Sequence, residues 1–520
     1  GRLGALPFVV HHEIRLPGTG TGSAAVRVEL AAPAPLGAIL AAMLPVLEPW
    51  RPLPASASPD LPRDSEPPPW LRAEEGWPRP AEVGPRDKIL RPYDVRLAPS
   101  AEEAVDGAVL ARSAYGAARA DDVGEVVVDA TTANPIGRQG YGPELPDGRL
   151  RLTGALDTPW WEIARPDDGA VVVAGRVGDP LTERQRGALT RLGTVTLVGP
   201  SAGVPPLAVA AALAQLAMTG VPLHVPDLGE DVAGRLAPDL VPLLRAPLPG
   251  RGADPMAWEL YGIAQRRAAL RHHASGFAWP RALASAYPSL GSPPTVSALL
   301  VTRRSRLVMA AVAAMTAQSY PALEVVVGLH GCDLPADVRA RLGEQRMPVR
   351  VLPVPGERSL GEALAEATRL AEGGLVTKVD DDDRYGPEHI WDLVLARHYS
   401  GATVVGKGAE FVYLEARDLT VRRYMGSELF NTVVAGGTIL LGKGDLENVG
   451  GWRPLPRSVD RGLLDRVLQD GGLVYRTHGF GFVYTRHGDG HTWDPGLDYF
   501  LHDPRQAWRG LPPYQEFRPA

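Results

Sequence analysis

From residue 295 the chain alternates continuous apolar runs with helical patterns, and that alternation restricts the fold more than anything else in its 520 residues. TVSALLVTRR (295–304) reads as a buried strand that opens into polar residues. SRLVMAAVAAMTAQSYP (305–321) reads as a helix stopped by proline. ALEVVVGLHG (322–331) is a second strand, RSLGEALAEATRLAEGG (358–374) a long helix, and LVTKV (375–379) a third strand running into DDDD. Strands that are apolar throughout, separated by helices, belong to a parallel sheet covered on both faces. In such sheets ligands bind beyond the carboxyl ends of the strands. Both VTRR and DDDD fall there.

Asp380, Asp381, Asp382 and Asp383 follow their strand without a break. In an extended chain residues i and i+2 point the same way, so Asp380 and Asp382 can aim two carboxylates at one point. Two hard oxygen ligands with open positions suit Mg²⁺ or Mn²⁺, which keep waters and take substrate phosphate oxygens. A calcium loop of the EF-hand kind does not fit, because Arg384 and Tyr385 stand where an oxygen ligand and glycine are required.

With these pieces in order, residues 294–495 resemble a family-two glycosyltransferase of GT-A fold. The matching segments are VSALLVTRR, AAMTAQSYPALEVVVG, SLGEALAEATRLAEGGLVTKVDDDD, VGGWR (449–453) and SVDRGLLDRVLQDGG (458–472). The resemblance implies an inverting, metal-dependent transfer of a sugar from a nucleotide diphosphate to a hydroxyl acceptor. It implies Asp380 and Asp382 as metal ligands and Asp460 as the catalytic base. A base is chemically required, since an acceptor hydroxyl is a poor nucleophile until a positioned carboxylate takes its proton. His487 and His491, spaced by four in the C-terminal segment, are candidates for a third metal ligand. Thr302, Arg303, Arg304, His330, Lys378 and Asp381 are candidates for donor binding. Trp452 and Trp493 are candidates for stacking on an acceptor. One departure stands out: Leu329 and His330 occupy places where the family carries acidic residues that contact the nucleoside, so either the base is read differently, through His330 or Thr302, or nucleotide binding is weakened.

The rest of the chain says less about chemistry. Residues 1–85 hold alternating apolar stretches, a helix at PLGAILAAMLPVLEPW and a Pro-rich arm at 51–85. Residues 86–254 alternate strand candidates at 125–131, 170–175, 194–199 and 221–225 with helical patterns. They read as a second Rossmann-like α/β domain, with no GxGxxG to bind a dinucleotide and a non-catalytic role. Residues 255–293 read as a helical connector rich in Arg and His, its basic residues on a solvated face. Residues 294–520 form the GT-A domain.

Net charge is −6 and the isoelectric point about 6.1, against a broadly basic nucleic-acid surface. The one cysteine, Cys332, rules out a disulfide framework. The apolar stretch at 203–219 carries Pro205, Pro206 and Gln215 and fits a buried helix better than a membrane span. A cytoplasmic protein is expected, at most peripheral at the inner face of the membrane, alone or as an oligomer. Two other readings use the same features. One is a non-catalytic sugar-nucleotide or glycan binder. The other is a nucleotidyltransferase, which a missing glycine-rich phosphate loop after the first strand disfavours.

Overall fold

The computed structural model describes residues 9–16, 24–34, 72–73, 95–98, 126–138, 140–154, 159–199, 203–250, 252–283, 293–487 and 496–517. The helices expected at 35–50 and 101–118, and all but Arg72–Ala73 of the 51–85 arm, lie outside the described residues. The chain divides into two compact units. One is Gly1–Ser292 with His398–Gly401; the other is Pro293–Arg397 with Ala402–Ala520.

In the first unit, β1 (Val9–Leu16) and β2 (Ala24–Ala34) pair antiparallel, and β3 (Arg72–Ala73) and β4 (Val95–Ala98) complete a sheet in the order β1-β2-β4-β3. A second sheet contains β5 (Asp147–Thr153), β6 (Trp160–Ala164), β7 (Val171–Arg176), β8 (Thr194–Leu197) and β9 (Leu223–His224), in the order β7-β6-β5-β8-β9. The expected parallel sheet is therefore mixed. The β5–β8 and β8–β9 pairs are parallel, whereas β5–β6 and β6–β7 are antiparallel. The sequence reading passed over β5 and β6. β5 alternates buried and exposed residues along DGRLRLT, the period-two pattern of a half-covered antiparallel strand.

The strand expected at 125–131 is a correction too. Val128 makes one isolated bridge to Ala274 and the chain then turns. Asp129 causes the turn, its carboxylate accepting from the Thr131 N–H at 3.0 Å, an Asx-type closure that competes with a strand ladder. Helices α1 (Glu183–Leu189) and α2 (Pro206–Met218) form where the periodicity places them. EDVAGRLAPDLVPLL instead splits into α3 (Glu230–Ala233) and α4 (Leu240–Arg245), because Gly234 caps the first piece and Pro238 cannot continue it.

The basic stretch after residue 254 is α5 (Pro255–His273), opened by an Asp254 cap and Pro255, followed by α6 (Ser275–Leu283). Its basic residues do not share a solvated face: Arg266, Arg267 and His273 are buried. Gln265 is buried with them, accepting from the Leu223 N–H at 2.8 Å and donating to the Leu223 carbonyl at 2.7 Å. It thus supplies β9 with the ladder bonds that a neighbouring strand would have made.

In the second unit, β10 (Val296–Thr302), β11 (Leu323–His330), β12 (Val349–Val354) and β13 (Leu375–Val379) run parallel in the order β12-β11-β10-β13. Helices α7 (Val308–Thr316), α8 (Ala336–Gly343) and α9 (Leu360–Leu370) connect them. α9 starts with a reciprocal capping box between Ser359 and Glu362. The sheet continues through β19 (Leu440–Gly442), β15 (Val404–Lys407), β20 (Val474–Thr477) and β18 (Leu429–Asn431). β19 is antiparallel to both neighbours, so the sheet is parallel in its first half and mixed beyond. Leu299, Val326 and Val376 pack against Leu364 and Ala367 of α9 and Leu463 and Val467 of α12 (Val459–Gln469). A smaller sheet has the order β14-β21-β16-β17-β22, from β14 (Arg384–Tyr385), β21 (Phe482–Arg486), β16 (Phe411–Leu414), β17 (Leu419–Arg422) and β22 (Gln506–Arg509). No helix among the described residues is long and apolar enough to cross a membrane.

Candidate functional site

The strand order reverses between β10 and β13. The chain steps outward from β10 to β11 and β12, then returns to β13 on the other side of β10. That leaves a crevice at the carboxyl ends of β10 and β13, and the residues after Thr302 and Val379 surround it.

Two ion-pair networks organise the crevice. In the first, Arg304 grips both Asp381 oxygens and also donates to Asp382 Oδ2 at 2.7 Å. The Thr302 hydroxyl donates to Asp381 as well. In the second, buried Lys378 donates to Asp380 Oδ1 at 2.5 Å and stands 3.6 Å from Asp460 Oδ1. Asp460 lies in the first turn of α12, brought there by Ser458, whose φ of 58° turns the chain into the helix. Residues 80 apart in sequence thus share one lysine.

Burial alone would lower the Lys378 ammonium; the Asp380 and Asp460 charges outweigh it and raise it. Burial raises the Asp460 carboxyl, Lys378 opposes that and Asp380 reinforces it. Among the described residues Asp460 Oδ1 is buried with no hydrogen-bond partner. Burial and the charges of Asp380 and Asp382 push Asp383 well above the usual carboxyl range, although its Oδ1 accepts from the Thr485 N–H at 2.9 Å. The Tyr385 hydroxyl accepts from the Asp380 N–H at 2.9 Å and donates to the Gly437 carbonyl at 3.0 Å. Gly436 and Gly437 close the wall without side chains. A Cβ at Gly437 would lie 2.8 Å from both Asp380 Oδ2 and the Tyr385 hydroxyl, and one at Gly436 would collide with Asp460.

His487, just past β21, places Nε2 3.9 Å from Asp382 Oδ2 and Nδ1 2.7 Å from Glu415 Oε2. The imidazole thus stands between two carboxylates, with Glu415 on its Nδ1 side and Asp382 on its Nε2 side. The expected set of Asp380, Asp382, His487 and His491 does not assemble as such. Asp380 Oδ1 is on Lys378, His491 lies outside the described residues, and among the described residues no three His, Cys, Asp or Glu side chains form a metal-holding group.

The other sequence candidates have definite places. Arg303 donates to His330 and to the Gly356 carbonyl at 3.0 Å, and buried His330 is bonded to the Arg358 carbonyl at 2.7 Å. Both are therefore engaged with each other and with the loop at 356–358. Trp452 is a correction: its indole is buried and donates to Thr368 Oγ1 at 3.0 Å, so it offers no face to an acceptor. Trp493 lies outside the described residues. Sequence reasoning missed Glu415, Asp383, Tyr385 and the Gly436–Gly437 pair. The glycine pair was visible as AGGT at 435–438; Glu415 carried no local signal.

No family model matches the chain, and no curated protein sequence does. Among solved structures it is similar to S. aureus TarS 1-349 in complex with UDP-GlcNAc, at 15% identity and a TM-score of 0.31, over 38% of this chain and 60% of that one. It is also similar to the mannosyltransferase PcManGT from Pyrobaculum calidifontis in complex with GDP-Man and Mn²⁺, at 16% identity and a TM-score of 0.30, over 38% of this chain and 61% of that one. The similar region thus spans about three-fifths of each of those proteins. At these TM-scores the likeness carries neither a fold nor an activity to this chain.

Proposed function

We propose that the second unit is a glycosyltransferase that moves a sugar from a nucleotide-diphosphate donor to an acceptor hydroxyl with inversion. The observation that carries this reading is the convergence of Asp460, Lys378 and Asp380 at the reversal of strand order, beside Asp382 and His487. Asp460 Oδ1 is buried with no hydrogen bond to hold it, while the side chain as a whole still reaches water, which suits a carboxylate that must accept a proton during attack. In the step proposed, the acceptor oxygen bonds to the anomeric carbon while its proton passes to Asp460. The bond from that carbon to the phosphate oxygen breaks, and its electron pair leaves with the nucleoside diphosphate. Lys378 keeps Asp460 ionised between turnovers. Tyr385 and the side-chain-free wall at Gly436–Gly437 fix the acidic loop and leave room beside it.

Asp382, once its Oδ2 is released by Arg304, and His487 are the residues that would hold a divalent cation such as Mn²⁺ or Mg²⁺, with Glu415 orienting the imidazole. Bound there, the cation would neutralise charge developing on the leaving diphosphate. The test is nucleoside diphosphate release from a panel of nucleotide sugars, with and without Mn²⁺, for the parent chain and Asp460→Asn. The substitution should cut kcat by about 10²–10⁴-fold with little change in KM. Unchanged turnover in this variant would defeat the reading. Tight donor binding with no turnover in the parent would make the site a binding module instead.

A further inference from the structure

The β7-β6-β5-β8-β9 sheet of the first unit meets a helix glutamine at each edge, two bonds at β9 and one at β7. At β9, Gln265 occupies the outer hydrogen-bonding positions of Leu223. At β7, among the described residues, no strand pairs beyond it. Gly175 faces Trp161 across the β6–β7 ladder, and Val177 N–H donates to the Pro159 carbonyl at 2.9 Å. Odd-numbered residues therefore bond inward to β6, which turns the Val172 carbonyl and both backbone groups of Ala174 outward. Gln185 reaches from α1 to the Ala174 carbonyl at 2.8 Å, which leaves the Ala174 N–H and the Val172 carbonyl as the outward groups beside it; both residues line a groove.

That groove, about 940 Å³, runs between the β7 edge and α1 with the turn after it. Its floor is apolar, formed by Val173 and Leu192, and Val171 and Val172 are exposed at its rim. Three arginines line it: Arg165, Arg184 and Arg191. Arg165 is paired to Asp168. Arg184 and Arg191 have no ionic partner among the described residues, and no carboxylate lines the groove. A free strand edge beside a helix, with an apolar floor and uncompensated cations, is the geometry in which an extended chain adds as a further strand.

We propose that this groove binds an extended, acidic polypeptide segment of a partner protein, which adds beside β7 from Val172 to Arg176 and places carboxylates on Arg184 and Arg191. The register shifts between the Ile163–Val173 and Ala164–Val171 pairs, which leaves Val172 unpaired in the β6–β7 ladder and sets that limit. Acid pairing gives the preference for the partner, and the Ala174 N–H with the Val172 carbonyl gives its extended form.

The experiment is fluorescence anisotropy on the full chain with three labelled ten-residue probes: alternating Thr-Glu, alternating Thr-Lys, and Thr-Glu with alternate backbone nitrogens methylated. Thr-Glu should bind at least about tenfold tighter than either of the others. Arg184→Glu with Arg191→Glu should weaken it by about tenfold, the scale of two exposed ion pairs. Both arginines are exposed, so the melting temperature of that variant should match the parent. Ala174→Pro, which removes an outward edge N–H, should weaken binding independently. Equal affinity for Thr-Glu and Thr-Lys, no binding of Thr-Glu, undiminished binding of the methylated probe, or no effect of the double reversal in a folded variant would each overturn the proposal.

Discussion

Lys378→Met tests the shared-lysine network most directly. At 3.6 Å from Asp460 Oδ1, one positive charge stabilises the carboxylate by about 5 kcal/mol at an effective dielectric near 20 and by about 1 kcal/mol in water. The Asp460 side chain keeps 31% of its exposure, so water screens the pair and the lower end applies, about 1–2 kcal/mol or about one pH unit. Removing the cation leaves burial and Asp380, both of which raise the Asp460 carboxyl. The protonated, inactive form of the base then persists to higher pH. The acid limb of log kcat/KM against pH should move up by about one unit, so activity falls more at pH 6 than at pH 8. The assay is nucleoside diphosphate release across that range, with the melting temperature as the check on folding. An acid limb that stays in place in a folded Lys378→Met variant would show that Asp460 is not the group titrating in catalysis.

Glu415→Gln should raise the Mn²⁺ concentration for half-maximal activity by about 10–100-fold without changing the fold, which a metal titration of activity reads. Gly437→Ala puts a Cβ 2.8 Å from Asp380 Oδ2 and the Tyr385 hydroxyl; thermal melting should show a loss of about 1–3 kcal/mol. In the first unit, burial lowers the His273 imidazole to about 4. The unfolded chain, with an ordinary value near 6.5, therefore takes up the proton first, and stability present above about pH 6.5 is lost as pH falls towards 4. The loss amounts to about 3 kcal/mol, and urea unfolding at pH 7 and pH 5 should differ in this direction in the parent but not in His273→Phe.

The parallel core of the second unit was legible because its strands are buried on both faces. LEVVVGLH is covered at every position, and such runs announce themselves in sequence. Glu324 looks like an exception in that run, but its carboxylate accepts from Ser297, Glu372 N–H and Gly373 N–H and pairs with Arg350. A buried acid with four donors does not break a strand. β5 was illegible for the opposite reason: half-exposed, it carries only Leu150 and Leu152 as large apolar residues on its covered face, too few to announce a strand.

The site divides along the same line. Asp380 and Asp382 could be named because they follow a strand directly, and alternation along an extended chain is a local rule. What engages them is not local. Arg304 reaches Asp381 and Asp382 from the end of β10, Lys378 links Asp380 to Asp460, and Glu415 meets His487 from the end of β16. Trp452 shows the cost of reading a residue by type. An indole near VGGWR suits a sugar platform as well as a core, and only its bond to Thr368 on α9 separates the two. Type and spacing therefore locate a charge, while its counter-charge comes from whichever strands the sheet order makes adjacent. That order reverses between β10 and β13, and the residues whose partners no local rule could supply gather at this reversal.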